Sequence, residues 1–167
     1  MNKAITDGLV LAPPAFAAGL TVWSSEDGTP GSVTYDAVPT AAFVPSDTDF
    51  AGCLELVKTD SVQRLRYTGE TPLLPGCYLR VTVRVKAISG AFPSVRNAGF
   101  AADAGGSAAG GVVTTGPSTL LSSYGEVVEV SAIIGTGART GVDMVWGDPV
   151  VYGHFGLDLT GATGGIV

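Results

Sequence analysis

From Cys77 to Ala87 the chain alternates strictly. Cys77, Leu79, Val81, Val83, Val85 and Ala87 are apolar, while Tyr78, Arg80, Thr82, Arg84 and Lys86 between them are polar or amphipathic. Strand side chains point alternately to two faces, so the pattern predicts a strand over Tyr78–Ser89 with one dry face and one wet, cationic face. Pro75-Gly76 precedes it as a turn signal, because proline fixes φ and glycine accepts a positive one. Similar patterns predict strands at Leu20–Trp23, Ala41–Val44, Leu54–Lys58, Val62–Tyr67, Ser94–Phe100, Glu126–Ile134, Val142–Trp146 and Val151–Leu159. Val128, Val130, Ala132 and Ile134 take the inward parity of one strand; Val142, Met144 and Trp146 take that of another. In the last strand Gly153, Phe155, Leu157 and Leu159 face one way, and Tyr152, His154 and Asp158 face the other. Residues 101–119, with Gly105-Gly106, Gly110-Gly111 and Gly116-Pro117, read as a loop. With neither an amphipathic helix nor an internal repeat, about eight to ten short strands predict an all-β antiparallel sandwich, a jelly roll.

The domain reading is an N-terminal arm over 1–19, rich in Ala and Pro, a sandwich over 20–160 and a short tail over 161–167. A chain of 167 residues is long enough to bury a substantial core. Only 14% of its residues are charged, against roughly 25% in ordinary domains, which predicts that subunit contacts hide much of its surface. Two long uncharged stretches, Gly8–Ser25 and Ala104–Gly125, point the same way and make Leu9, Leu11, Pro13, Pro14, Phe16, Gly110 and Val112 candidate assembly contacts. The expected assembly is a cyclic homo-oligomer, a pentamer at a fivefold vertex in preference to a trimer on a fibre.

A net charge of −6 argues against nucleic-acid binding, which needs a basic face. No segment suits a helical membrane span, since Pro13, Pro14 and Gly19 interrupt the early apolar run. Lys3 and Ala15-Phe16-Ala17 imitate a signal peptide, but Asp7, Gly8 and the two prolines spoil its apolar centre; synthesis in the cytoplasm without export is expected. Cys53 and Cys77 lack metal or redox spacing and read as buried thiols.

Candidate chemistry is sparse. Glycoside hydrolysis needs two carboxylates across a cleft. Glu55, Glu70, Glu126, Glu129, Asp143 and Asp158 are available, several of them at solvent parity where acids serve solubility. There is no Gly-x-Ser-x-Gly elbow and no phosphate loop, so a non-enzymatic protein is expected. Asp47 and Asp49 offer oxygens to Ca²⁺ but are too few for a site, so no cofactor is expected. Sugars stack on aromatic rings while arginines and amides bond their hydroxyls. The outward face of Tyr78, Arg80, Arg84 and Lys86 is the best-placed set, although arginine and tyrosine also suit a subunit interface. Further candidates are Trp23, Tyr67, Tyr152 and His154, with Tyr35, Tyr124, Trp146, Arg64, Arg66, Arg96 and Asn97 as possible company. For either tryptophan the core is the commoner place.

Three stretches carry a resemblance: Gly19-Leu20-Thr21-Val22-Trp23, Leu74-Pro75-Gly76-Cys77-Tyr78 leading into Arg80–Ala87, and Tyr124–Ile134 with the closing Tyr152–Leu159. Their order resembles carbohydrate-binding modules with a galactose-binding-like jelly roll. The phrasing of residues 1–32 and 69–87 more closely resembles the opening domain of surface-spike proteins from prophages and gene transfer agents of alphaproteobacteria. That resemblance implies a spike base or adhesive module on the surface of a phage-like particle. It would dock on capsid, spike or fibre proteins and bind cell-surface polysaccharide. The alternative it leaves is a free carbohydrate-binding module of a polysaccharide-processing system.

Overall fold

The computed structural model describes residues 23–24, 41–67, 71–74, 76–102, 114–146 and 152–165. Among them are twelve strands and no helix: β1 (Trp23–Ser24), β2 (Ala41–Val44), β3 (Cys53–Leu56), β4 (Val62–Tyr67), β5 (Thr71–Pro72), β6 (Tyr78–Val85), β7 (Pro93–Ala102), β8 (Thr114–Thr115), β9 (Thr119–Leu120), β10 (Val128–Thr136), β11 (Met144–Trp146) and β12 (Tyr152–Gly161). Eight of these are three residues or longer, in line with the number the sequence predicts. The larger sheet runs β1-β4-β12-β7-β8, with β5 on β12 and β9 on β7; the smaller runs β11-β10-β6; and β2 pairs with β3. The long strands β4, β6, β7, β10 and β12 alternate between the two sheets along the chain, the winding of a jelly-roll sandwich.

The period-two pattern is what builds the core. On β6 Tyr78, Arg80, Thr82 and Arg84 are exposed, while Leu79, Val81, Val83 and Val85 lie between the sheets. Its antiparallel partner β10 buries Val130, Ala132 and Ile134 and exposes Glu129 and Ser131. Val85 and Val130 meet Leu65, Val95 and Leu159 of the larger sheet in one cluster. Ala132 and Ile134 meet Met144, Trp146 and Leu73 in a second. Fully burying one such aliphatic side chain stabilises the fold by about 1.5–3 kcal/mol, so the two clusters hold the sheets face to face. Trp146 is fully buried, as its parity predicts, and stacks on Phe155 with centroids 5.5 Å apart. Gly153 gives this stack its room: a Cβ there would stand 2.8 Å from the indole of Trp146 and 2.7 Å from the Phe155 ring.

Several elements depart from the sequence reading. β6 stops at Val85 rather than running to Ser89, because Ala87 leaves β10 and bridges to Tyr124. Thr114–Thr115 inside the predicted 101–119 loop, and Thr119–Leu120 at its end, add to the edge of β7. β11 runs parallel to β10, one exception to the antiparallel plan. Cys53 and Cys77 are thiols, half-buried rather than fully so, and burial pushes the Cys53 thiol pKa up.

The chain past β12 is tied back to the sandwich. Lys58 N donates to Gly165 O at 2.8 Å, and Gly164 N donates to Lys58 O at 2.7 Å. The Lys58 side chain is fully buried, and its ammonium donates to the carbonyls of Asp60, Ser61 (3.0 Å) and Gly161 (2.9 Å). Three carbonyls match the three donors of an ammonium, which makes the burial tolerable.

Candidate functional site

Each sheet presents an outward face with chemistry on it. The face of the smaller sheet is set by the β6–β10 register, which places Tyr78 beside Gly135, Arg80 beside Ile133, Thr82 beside Ser131 and Arg84 beside Glu129. Tyr78 is 55% exposed, and Arg80 lies two residues further along the same face. The Arg139 guanidinium sits 5.4 Å from the Tyr78 ring centroid, and its Nε donates to Gly76 O at 3.0 Å. One cation is thus held on the ring while much of the tyrosine stays open to solvent. The hydroxyls of Thr82 and Ser131 are 3.0 Å apart, bonded across the strands. Val145 of β11, opposite Gly135, extends the face with another exposed apolar side chain. The surface therefore offers a ring, guanidinium groups and paired hydroxyls in a plane.

At the far end of β6 the sequence reading needs correction. Lys86 is half-buried, not part of the open face: its ammonium is paired with Asp47 and, at 2.9 Å, with Asp49. The two acids are a lysine clamp. Asp49 N donates to Asp47 Oδ1 at 3.0 Å, and Thr48 Oγ1 donates to Asp49 Oδ2 at 3.1 Å, so the turn presents both carboxylates together. The hydrogen bonds from Lys86 hold both carboxyl pKa values below their ordinary range, and the same bonds raise that of Lys86. Phe50 follows in the turn, with Arg84 at 5.3 Å and Lys86 at 5.7 Å from its ring centroid. Of the four residues singled out here, Tyr78, Arg80 and Arg84 stay exposed, Arg84 beside Phe50, while Lys86 is taken up by the two acids.

The outward face of the larger sheet holds a constellation that sequence spacing hides. Registers place Asp158 of β12 directly between Arg64 of β4 and Arg96 of β7. Its oxygens accept from Arg64 Nε at 2.6 Å and Nη2 at 3.3 Å and from Arg96 Nε at 3.1 Å, and Arg96 Nη2 lies 3.0 Å away as an ion pair. Asp158 is fully buried, which corrects its reading as a solubilising acid. The arginines stand 94 and 62 positions away in the chain, so only the strand order brings them together. Outward parity of an acid and two arginines on separate strands is the signal available in the sequence, and it becomes usable once the register is known.

The remaining candidates divide. Asn97 lies between the sheets, not on a ligand face, and its Nδ2 donates to Val130 O at 3.0 Å. Tyr124 is exposed, but its ring packs on Phe92 with centroids 4.6 Å apart and its hydroxyl donates to Gly90 O. Trp23 is in register with Tyr67, His154 with Phe100, and Tyr152 with Ala102 and Pro72; these are backbone placements on the larger sheet. Tyr35 and the assembly candidates Leu9, Leu11, Pro13, Pro14, Phe16, Gly110 and Val112 lie outside the described residues. A crevice lined by Leu56, Gln63, Arg64, Leu65, Leu157 and Leu159 has room for little more than a water molecule, far below the roughly 300–1,000 Å³ of small-molecule clefts, so the faces are the better candidates.

No protein-family model matches the chain, and no curated protein does. Among solved structures, the fold is similar to that of the enzymatically active domain of tailspike protein 4 from bacteriophage CBA120. The TM-score is 0.53 at 11% sequence identity, over 93% of this chain and 20% of that one. The likeness is one of fold, and this chain spans about a fifth of that protein's length. The non-enzymatic expectation does not stand, since the domain this fold is similar to is described as enzymatically active.

Proposed function

We propose that this chain is a spike-type domain of a phage-like particle that contacts cell-surface polysaccharide through the open face of its smaller sheet. The observation that carries the reading is the half-exposed Tyr78 ring beside Arg80, with the Thr82–Ser131 hydroxyl pair further along the same face. A pyranose presents an apolar C–H face to a ring and hydroxyls to guanidinium and hydroxyl groups, and a flat face suits an extended glycan. The tailspike likeness in fold supports the particle association. The low charge supports assembly as a cyclic homo-oligomer, a pentamer where it seats on a fivefold vertex and a trimer on a fibre; exposed Ile88, Leu120 and Tyr124 add apolar surface for contact with other particle proteins.

Weak single sites on a repeated particle gain about two to four orders of magnitude in avidity, so the assembled form is the one to test. Immobilised host surface polysaccharides should retain the assembled protein, and antibody labelling should place it on the particle. Retention of none of them would remove the carbohydrate reading, and absence of label from purified particles would remove the spike reading. Reducing ends, measured in the same wells, would report cleavage of any polysaccharide that is retained.

A further inference from the structure

We propose that the free edge of β6 is a strand-addition site for an extended polypeptide segment with acidic side chains at alternate positions. The order β11-β10-β6 puts β6 at the margin of the smaller sheet. In an antiparallel ladder, residue pairs that exchange backbone hydrogen bonds alternate with pairs that do not. Thr136 N donates to Cys77 O at 3.0 Å, and the same register continues unbroken from Tyr78 opposite Gly135 to Val85 opposite Val128. Leu79, Val81, Val83 and Val85 therefore share the bonded phase of Cys77. Tyr78, Arg80, Thr82 and Arg84 fall in the other phase and turn their N–H and C=O groups off the sheet. Ile133, opposite Arg80, is placed accordingly: its N–H goes to Asp143 Oδ2 at 2.8 Å instead of to β6. No backbone partner among the described residues meets the edge groups of these four residues.

Sheet edges are ordinarily blunted by short length, proline, bulges or an inward-pointing charge. β6 has none of these: it is eight residues long, its register is unbroken, and its inward positions are Leu79, Val81, Val83 and Val85. What it carries is two outward arginines, and they select the occupant. Arg80 has no carboxylate partner among the described residues. Arg84 stands opposite Glu129 without an ion pair to it, its guanidinium 5.3 Å from the Phe50 ring centroid. Asp143 is held on the β11 side of β10 by its bond from Ile133. A second copy of β6 added antiparallel, with Tyr78 opposite Arg84, would gather four arginines on one face and bring no acid, so like charges disfavour it. A segment with Asp or Glu facing Arg80 and Arg84 supplies the counter-charge, while its backbone supplies the edge hydrogen bonds; main-chain bonds then give affinity and alternate side chains give specificity. With an overall charge of −6 the chain does not draw an acidic segment from afar, so the selection is short-range. The site is independent of the polysaccharide contact, which needs the Tyr78 ring rather than the backbone edge.

Amide hydrogen exchange of the full chain, read by NMR with and without the capped peptide Thr-Val-Glu-Val-Thr-Val-Glu-Val-Thr, tests this directly. Its glutamates have the spacing of Arg80 and Arg84. In the free protein the amides of Arg80, Thr82 and Arg84 should exchange far faster than those of Val81, Val83 and Val85, and the peptide should slow them by at least about tenfold. The same peptide with lysine for glutamate should bind at least about fivefold more weakly, because two favourable cross-strand pairs become repulsive. Methylating the backbone nitrogens of the glutamates and the central threonine removes the donors that face the edge and should abolish binding. Thr82→Pro, which removes an outward N–H and no backbone bond to β10, should also abolish it in a protein that still melts cooperatively. If that variant does not fold, the methylated peptide tests the same bonds from the ligand side. Tyr78→Ala should bind the peptide like the wild type, so this site and the polysaccharide face can fail separately. Outward amides already protected in the free protein, no slowing by the peptide, or equal binding of the lysine or methylated peptide would overturn the proposal. Protection that rises with protein concentration in the absence of peptide would also overturn it and assign the edge to a second copy.

Discussion

Asp158 is the side chain through which three strands of the larger sheet share a charge network, with all its described bonds to two arginines. Removing one member of a buried ion network typically costs about 3–5 kcal/mol, because the partners lose their counter-charge. The two arginine side chains here retain 16% and 30% of their exposure, so the low end applies. Asp158→Asn should lower stability by about 3 kcal/mol and Tm by about 6–12 °C on thermal unfolding. Glu129→Gln, on the exposed face of β10, should stay within about 0.5 kcal/mol. A Tm unchanged by Asp158→Asn would mean the network adds nothing. The parity of Asp158 was legible in the sequence, but its burial was not. Burial depends on which residues stand opposite, and register is set by strand order, which no local pattern encodes.

At the scale of elements, the strands whose alternation is strict were legible nearly to the residue. Val62–Tyr67 is found as predicted, and the inward sets of β6 and β10 face the core. The two-residue strands β8 and β9 escaped because so short a segment shows no alternation; their pairing to β7 is tertiary. The turn carrying Asp47, Asp49 and Phe50 escaped for a related reason, since its partner Lys86 lies 39 and 37 positions away.

That turn should respond to pH in a definite direction. Both acids titrate below their ordinary value when folded, so the stability they add is present above that value and is lost as pH falls through the folded pKa. Lys86 titrates above its ordinary value, so its share is present at neutral pH and is lost only in strong base. Amide exchange at residues 47–50 should therefore be slow from mildly acidic to alkaline pH, after correction for intrinsic rates, and should accelerate below the carboxylate range. Lys86→Met should move that acid transition to higher pH, since the Asp49 and Thr48 bonds to the carboxylates remain. Protection unaffected by acid would mean that the clamp does not hold the turn.

For the whole molecule, the sandwich class was legible because its signals are additive: period-two runs, turn residues and the lack of helical periodicity all favour one layered architecture. The candidate face was largely legible, since Tyr78, Arg80 and Arg84 are exposed as their parity predicts while Lys86 is taken by Asp47 and Asp49. The proposed assembly belongs to this scale. Sedimentation should give a closed oligomer, five subunits in preference to three. Deleting residues 1–18 should prevent docking on the particle while thermal unfolding stays cooperative. A monomer at high concentration, with the truncated chain still incorporated, would contradict the assembly.

The most direct test of the account is titration of a retained host polysaccharide into wild-type protein and into Tyr78→Ala, with folding checked by melting. Tyr78 is exposed, so its loss should leave the fold intact and remove the stacking surface. Stacking is worth about 0.5–1.5 kcal/mol beyond area, and the lost contact area adds to it, so affinity should fall by about tenfold or more. Equal affinity of the two proteins would contradict the assignment of polysaccharide contact to this face.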